Sequence, residues 1–121
     1  MSLKLQLGIK QTPADARQAI TQTLISKTIS QTDDEAMYSG QAIGTSWEAV
    51  TIHADITTPG FVVVHNLDTT NFVELDVEAT GANPVVKLKA GEWAMFRLAT
   101  TTLYAQADTA ACDIEYWVWA D

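Results

Sequence analysis

The stretch 65-HNLDTTNFVELD-76 gathers a histidine, asparagines, aspartates and a glutamate into one short run of chain. Imidazole and carboxylate are the groups that ligate metals and move protons, so the residue types suit a metal or acid–base site. The spacing does not. Zinc needs three or four ligands converging on one ion, and no HxH or HxxxH pattern brings His53 and His65 together. Neither DDE at 33–35 nor LDTTN at 67–71 has the alternating acids, central glycine and terminal glutamate of a calcium loop. No G-x-S-x-G elbow occurs, no base or orienter is recognisable around Ser39 or Ser46, and the glycines at 40 and 44 lead to no GK[ST]. A turn accounts for the run with less: Asn and Asp side chains bond the amides of their own connection, and two asparagines bracket this one. The expectation is a chain with no catalytic residue, no metal ligand and no cofactor, and not an enzyme.

Two other groups of residues can make contacts. Glu74, Asp76 and Glu78 are spaced two apart, so on a strand they share one face, expected to be solvated or to meet a basic partner. In 114-IEYWVWA-120, Trp117 and Trp119 lie on one side and Ile114, Tyr116 and Val118 on the other. With both sides apolar, the strand is covered on both faces or meets another subunit. A sugar-stacking platform built from Trp47, Trp93, Trp117 or Trp119 is a third reading.

The elements that must position these groups read as strands. Leu3, Leu5, Leu7 and Ile9 alternate with polar residues. The segments 46–56, 72–78 and 93–99 also alternate, with turn-formers such as Pro59-Gly60, Gly81 to Pro84 and Ala90-Gly91 between runs. Strands are expected at about 3–9, 26–31, 46–56, 61–66, 72–78, 85–89, 93–99, 103–107 and 112–119. Many short strands spaced by turns indicate an all-β fold, an antiparallel β-sandwich of jelly-roll type. Residues 46–121 would be its core. Residues 1–45 would be an N-terminal arm and connecting segment of the same domain. Thr12-Pro13-Ala14-Asp15 also offers the cap, proline and acid that open a short helix, and 33–45 reads as an acidic turn and loose connection.

Composition narrows the function. With 47% hydrophobic and 18% charged residues, 121 residues can bury a core without staples. A net charge of −8 argues against a nucleic-acid groove. The opening MSLKLQLGIKQ builds no apolar export run and no stretch reaches membrane-span length, so neither a leader nor a membrane is expected. The single cysteine, Cys112, excludes an intrachain disulfide and reads as a small buried hydrophobe in a chain made in a reducing cytoplasm.

Over about residues 57 to 121 the order of features is distinctive. Pro59-Gly60, an apolar strand, Asn66-Leu67-Asp68, Asn71-Phe72-Val73, an acidic strand, Leu88-Lys89-Ala90-Gly91-Glu92 and a strand carrying Arg97 lead to the closing segment 103–121. This order resembles small all-β virion structural proteins of tailed bacteriophages. The resemblance implies a capsid cement or decoration protein, made in the host cytoplasm and located in the virion. It would stabilise the shell by contacts with the major capsid protein or neighbouring virion proteins, as a homo-oligomer such as a trimer. A tail or fibre component is the alternative within that biology, and a carbohydrate-binding module the alternative outside it. The contact residues expected are Leu3, Leu5 and Leu7 of the arm, adding as a strand to a neighbour, with Glu74, Asp76, Glu78, Trp117 and Trp119.

Overall fold

Period-two patterning favours strands, and the regular elements among the described residues are all strands. The structure, a computed structural model, describes the backbone of residues 2–10 and 21–121 and the side chains of 3–8 and 26–121. Two compact units result, residues 1–32 and residues 33–121. In the first, β1 (Ser2–Lys10) and β2 (Thr21–Ser30) form an antiparallel two-stranded sheet with an irregularity between Leu7 and Ile9. Leu3, Leu5 and Leu7 belong to this two-stranded sheet, in which β1 pairs with β2. Most of the segment expected to carry a helix, 12–20, lies outside the described residues. Thr21 to Leu24, at its end, are strand.

The second unit holds β3 (Ala36–Ile43), β4 (Glu48–Ala49), β5 (Pro59–Asn66), β6 (Val73–Asp76), β7 (Val86–Leu88), β8 (Trp93–Arg97), β9 (Tyr104–Ala107) and β10 (Cys112–Ala120). They form two four-stranded sheets, in the orders β3-β10-β5-β8 and β4-β9-β6-β7, with every pairing antiparallel. Among the described residues there is no helix, and none long and apolar enough to cross a membrane. Alternate residues of both sheets build one core. Val62, Val64, Ile114, Tyr116 and Val118 come from the first, and Val73, Leu75 and Ala105 from the second. Each large apolar side chain sealed there contributes ~1.5–3 kcal/mol. Cys112 is wholly buried among them, and burial pushes its thiol pKa up.

Two segments depart from expectation. Residues 33–45, read as a loose connection, supply β3, because all eight of its residues pair along β10 from Ala36↔Trp119 to Ile43↔Cys112. Residues 46–56, read as a long strand, contain only the two-residue β4. Val50 N–H still reaches the Leu103 carbonyl at 2.8 Å, but at Thr51 the backbone bonds to side chains: its N–H donates to Gln41 Oε1 at 2.9 Å and its carbonyl accepts the Tyr116 O–H at 2.6 Å. Val50 and Ile56 are still buried. Their alternation reported burial without a ladder.

One turn has no tolerance for a side chain. Gly81 holds φ +61° after β6, its N–H bonded to the Glu78 carbonyl at 3.1 Å, and a Cβ there would land inside the Trp47 indole. Gly81→Ala combines the left-handed penalty of ~1–2 kcal/mol with displacement of that ring. It is expected to lower stability by about 2 kcal/mol or more in chemical denaturation. Gly91→Ala has the same kind of backbone at φ +77° but open space around it, and should lose only the backbone part.

Candidate functional site

The sheet β3-β10-β5-β8 turns one face inward and the other outward, and strand alternation decides what each carries. Along β10, Ile114, Tyr116, Val118 and Ala120 point into the core, leaving Glu115, Trp117 and Trp119 half-buried on the outside. β3 adds Tyr38 to that side, β5 adds Phe61, Val63 and His65, and β8 adds Trp93, Met95 and Arg97. Register aligns them in rows. Glu115 lies opposite His65, which lies opposite Trp93; Trp117 sits between Tyr38 and Val63, with Met95 beyond. Tyr38 is 61% exposed and Trp93 56%.

The rings are held, not loose. The Trp93 indole stacks on His65 with centroids 3.9 Å apart and planes 9° apart, and lies 5.5 Å from Trp117 at 18°. Tyr38 leans on Trp117 at 5.0 Å. Glu115 ties the group together. Its Oε1 lies 2.9 Å from His65 Nδ1 and its Oε2 accepts the Tyr38 hydroxyl at 2.8 Å. At one margin Arg97 lies over the Phe61 ring at 4.7 Å and pairs with Asp121 at 2.6 Å. Offset and edge contacts among such rings add ~0.5–1.5 kcal/mol each beyond burial. The result is a preorganised aromatic face with a carboxylate at its centre.

The carboxylate is engaged in holding rings, since each oxygen already has a partner. Its bonds to His65 and then Tyr38 hold the Glu115 pKa below the usual carboxylate range, and the same carboxylate raises the Tyr38 phenol above 10.0. A depressed carboxyl pKa adds stability above its unfolded value, and that stability is lost as pH falls through the folded value. A raised phenol pKa works in the opposite direction: its contribution is present below 10 and lost as pH rises through the folded value. The face is therefore expected to be intact across neutral pH and to loosen below about pH 4.5, seen as a shift in tryptophan emission. In a phenolate absorbance titration, Glu115→Gln should return Tyr38 toward ordinary tyrosine. Unchanged titration would separate Tyr38 from Glu115.

The sequence-predicted residues divide. Trp117 and Trp119 lie on this face. The acidic row does not exist as expected. Glu74, on β6 of the other sheet, is half-buried and pairs across the ladder with Lys87 and Gln106. Asp76 is 2% exposed. Its carboxylate accepts the amides of Val77, Glu78 and Asn83, closing the turn after β6, so it offers no charge to a partner. Only Glu78 is exposed. Leu3 and Leu5 are half-buried and Leu7 is 49% exposed. Trp47 lies against Gly81 and takes no part in the platform.

The opening polar run is connection chemistry. Asp68 accepts from the amides of Thr70 and Asn71, which lowers its pKa. Asn66, wholly buried, accepts the Asp68 amide and donates to the carbonyls of Asn71 and Leu88. His65 alone joins the aromatic face. Tyr38 and Glu115 had no sequence signal, because their partners stand 77 and 50 residues away. Among the described residues the one close carboxylate group is the surface run Asp33, Asp34 and Glu35. No family model, curated protein or solved structure matches the chain.

Proposed function

We propose that this chain is a non-catalytic structural protein of a tailed-bacteriophage virion, a capsid cement or decoration protein that works by non-covalent docking. The observation that carries the reading is the outward face of Tyr38, His65, Trp93, Glu115 and Trp117: large apolar rings, fixed before any partner arrives. Rings already ordered lose little conformational entropy on docking, which is the property of an interface hot spot. Apolar patches of this kind are rare on monomers. The strand orders β3-β10-β5-β8 and β4-β9-β6-β7 fit an antiparallel sandwich of jelly-roll type. The partners are the major capsid protein or neighbouring virion proteins, with the protein itself a homo-oligomer such as a trimer. A tail or fibre position uses the same surface, and location in the particle distinguishes the two.

The near-parallel Trp93 and Trp117 rings favour one second reading, a carbohydrate-binding module, since indole faces stack on the C–H faces of sugars. Two measurements separate the readings. Docking expects retention of the protein on purified particles and tryptophan emission unmoved by glycans. Saturable quenching by a glycan, without particle binding, would replace docking with the sugar reading.

A further inference from the structure

The N-terminal hairpin has two unlike sides. Register places Leu3 opposite Ile29 and Leu5 opposite Lys27, with Leu7 two residues further along β1, so these residues share one side of the two-stranded sheet. Lys4 opposite Thr28 and Gln6 opposite Ser26 share the other. Among the described residues, one side is apolar with a single lysine in its middle, and the other is polar. A two-stranded sheet by itself is marginal in water, so the apolar side needs cover.

Charge indicates what covers it. Residues 1–32 hold Lys4, Lys10, Arg17 and Lys27 against Asp15, a net +3, while residues 33–121 hold three basic residues against fourteen acidic ones, a net −11. Two hairpins would repel each other, whereas a hairpin and the 33–121 unit attract. The aromatic face matches the hairpin in kind. Its rings offer the kind of apolar surface on which a second sheet layer packs. β10 carries Glu115 at its centre, bonded to His65 and Tyr38, and the exposed Asp113 at one end. Lys27 buried on a purely apolar surface would be costly, and a carboxylate beside it removes most of that cost.

We propose that the hairpin of one copy lays its Leu3, Leu5 and Leu7 side on the Trp93–Trp117 face of a second copy, with Lys27 directed to the carboxylates of β10. This rests on the reading of that face as a protein contact and names its partner. Copies that each give and receive a hairpin close a two-fold dimer, and head-to-tail exchange closes a ring.

The test uses the full-length chain. Sedimentation velocity over a concentration series should show a homo-oligomer that Leu5→Asp, Lys27→Glu and Trp93→Ala each weaken at least tenfold, while Lys27→Arg does not. Thermal unfolding should be little changed in Lys27→Glu, which covers the case that Leu5→Asp disturbs the hairpin itself. In a Cys112→Ala background, mixing a Leu5→Cys copy with a Met95→Cys copy under mild oxidation should give a crosslinked pair. A wild-type monomer at every concentration would overturn the proposal. So would a chain carrying both cysteines that closes on itself at high dilution. Particle binding separates this failure from that of the docking reading. If Trp93→Ala loses the particle while Leu5→Asp and Lys27→Glu keep both particle and oligomer, the face docks a virion partner and the hairpin is not its occupant. If Trp93→Ala changes neither association, both ideas fall.

Discussion

Asn66→Ala is expected to cost about 3 kcal/mol of stability, a drop in the unfolding midpoint on the order of 15 °C for a domain of this size. The side chain is 0% exposed and makes three hydrogen bonds to backbone, to the carbonyls of Asn71 and Leu88 and from the amide of Asp68. Its own backbone is bonded as well, N–H to the Glu92 carbonyl and C=O from the Gly91 amide. It therefore joins the end of β5 to β7 and to the turns on either side. Alanine leaves buried backbone groups without partners, at ~1–3 kcal/mol each before relaxation. Asn66→Asp should be no better at neutral pH, because a carboxylate would face two carbonyl oxygens. Calorimetry checks both variants, and a loss below 1 kcal/mol would show that water or a shifted loop replaces the amide.

The largest functional effect is expected at the aromatic face. Trp93→Ala should weaken the contact made there by about 2 kcal/mol, near thirty-fold in affinity, and Trp117→Ala by at least as much. The two differ in stability. Trp93 is 56% exposed, so its removal should cost the fold less than about 1 kcal/mol. Trp117 lies between Tyr38 and Trp93 and is half-buried, so its loss also loosens its neighbours. Trp93 is thus the cleaner probe, and Trp119, outward on the same strand, serves as comparison. Sedimentation beside thermal unfolding separates the effects. If Trp117→Ala unfolds outright it is core, and if Trp93→Ala leaves every association untouched the face is ordinary surface.

How much of this was legible depends on whether a signal was local. Alternation in β10 placed Ile114, Tyr116 and Val118 inward and the tryptophans outward, because period two is written residue by residue. The turn chemistry of Asn66 and Asp68 was legible for the same reason. The same alternation failed at Asp76. The strand ends there, so the carboxylate folds back on amides of residues 77, 78 and 83 instead of joining Glu74 outside. β3 was hidden because Ser39 and Gly40 at its middle carry weak strand preference, and pairing with β10 supplies what propensity does not. The 46–56 segment shows the reverse: good alternation, but past Val50 the side chains of Gln41 and Tyr116 bond Thr51 in place of a partner strand. The constellation at Glu115 was beyond reach. Three strands distant in sequence must come into register before His65, Glu115 and Tyr38 meet.

The central claim is that the Tyr38–Trp117–Trp93 face is a protein contact inside a virion. An electron-microscopy map of the intact particle, with the chain located by its fold, tests it most directly. The account predicts the chain on the capsid shell, with those rings covered by a neighbouring protein chain. A particle lacking the chain, or one that holds it with Trp93 and Tyr38 facing bulk solvent, would contradict it.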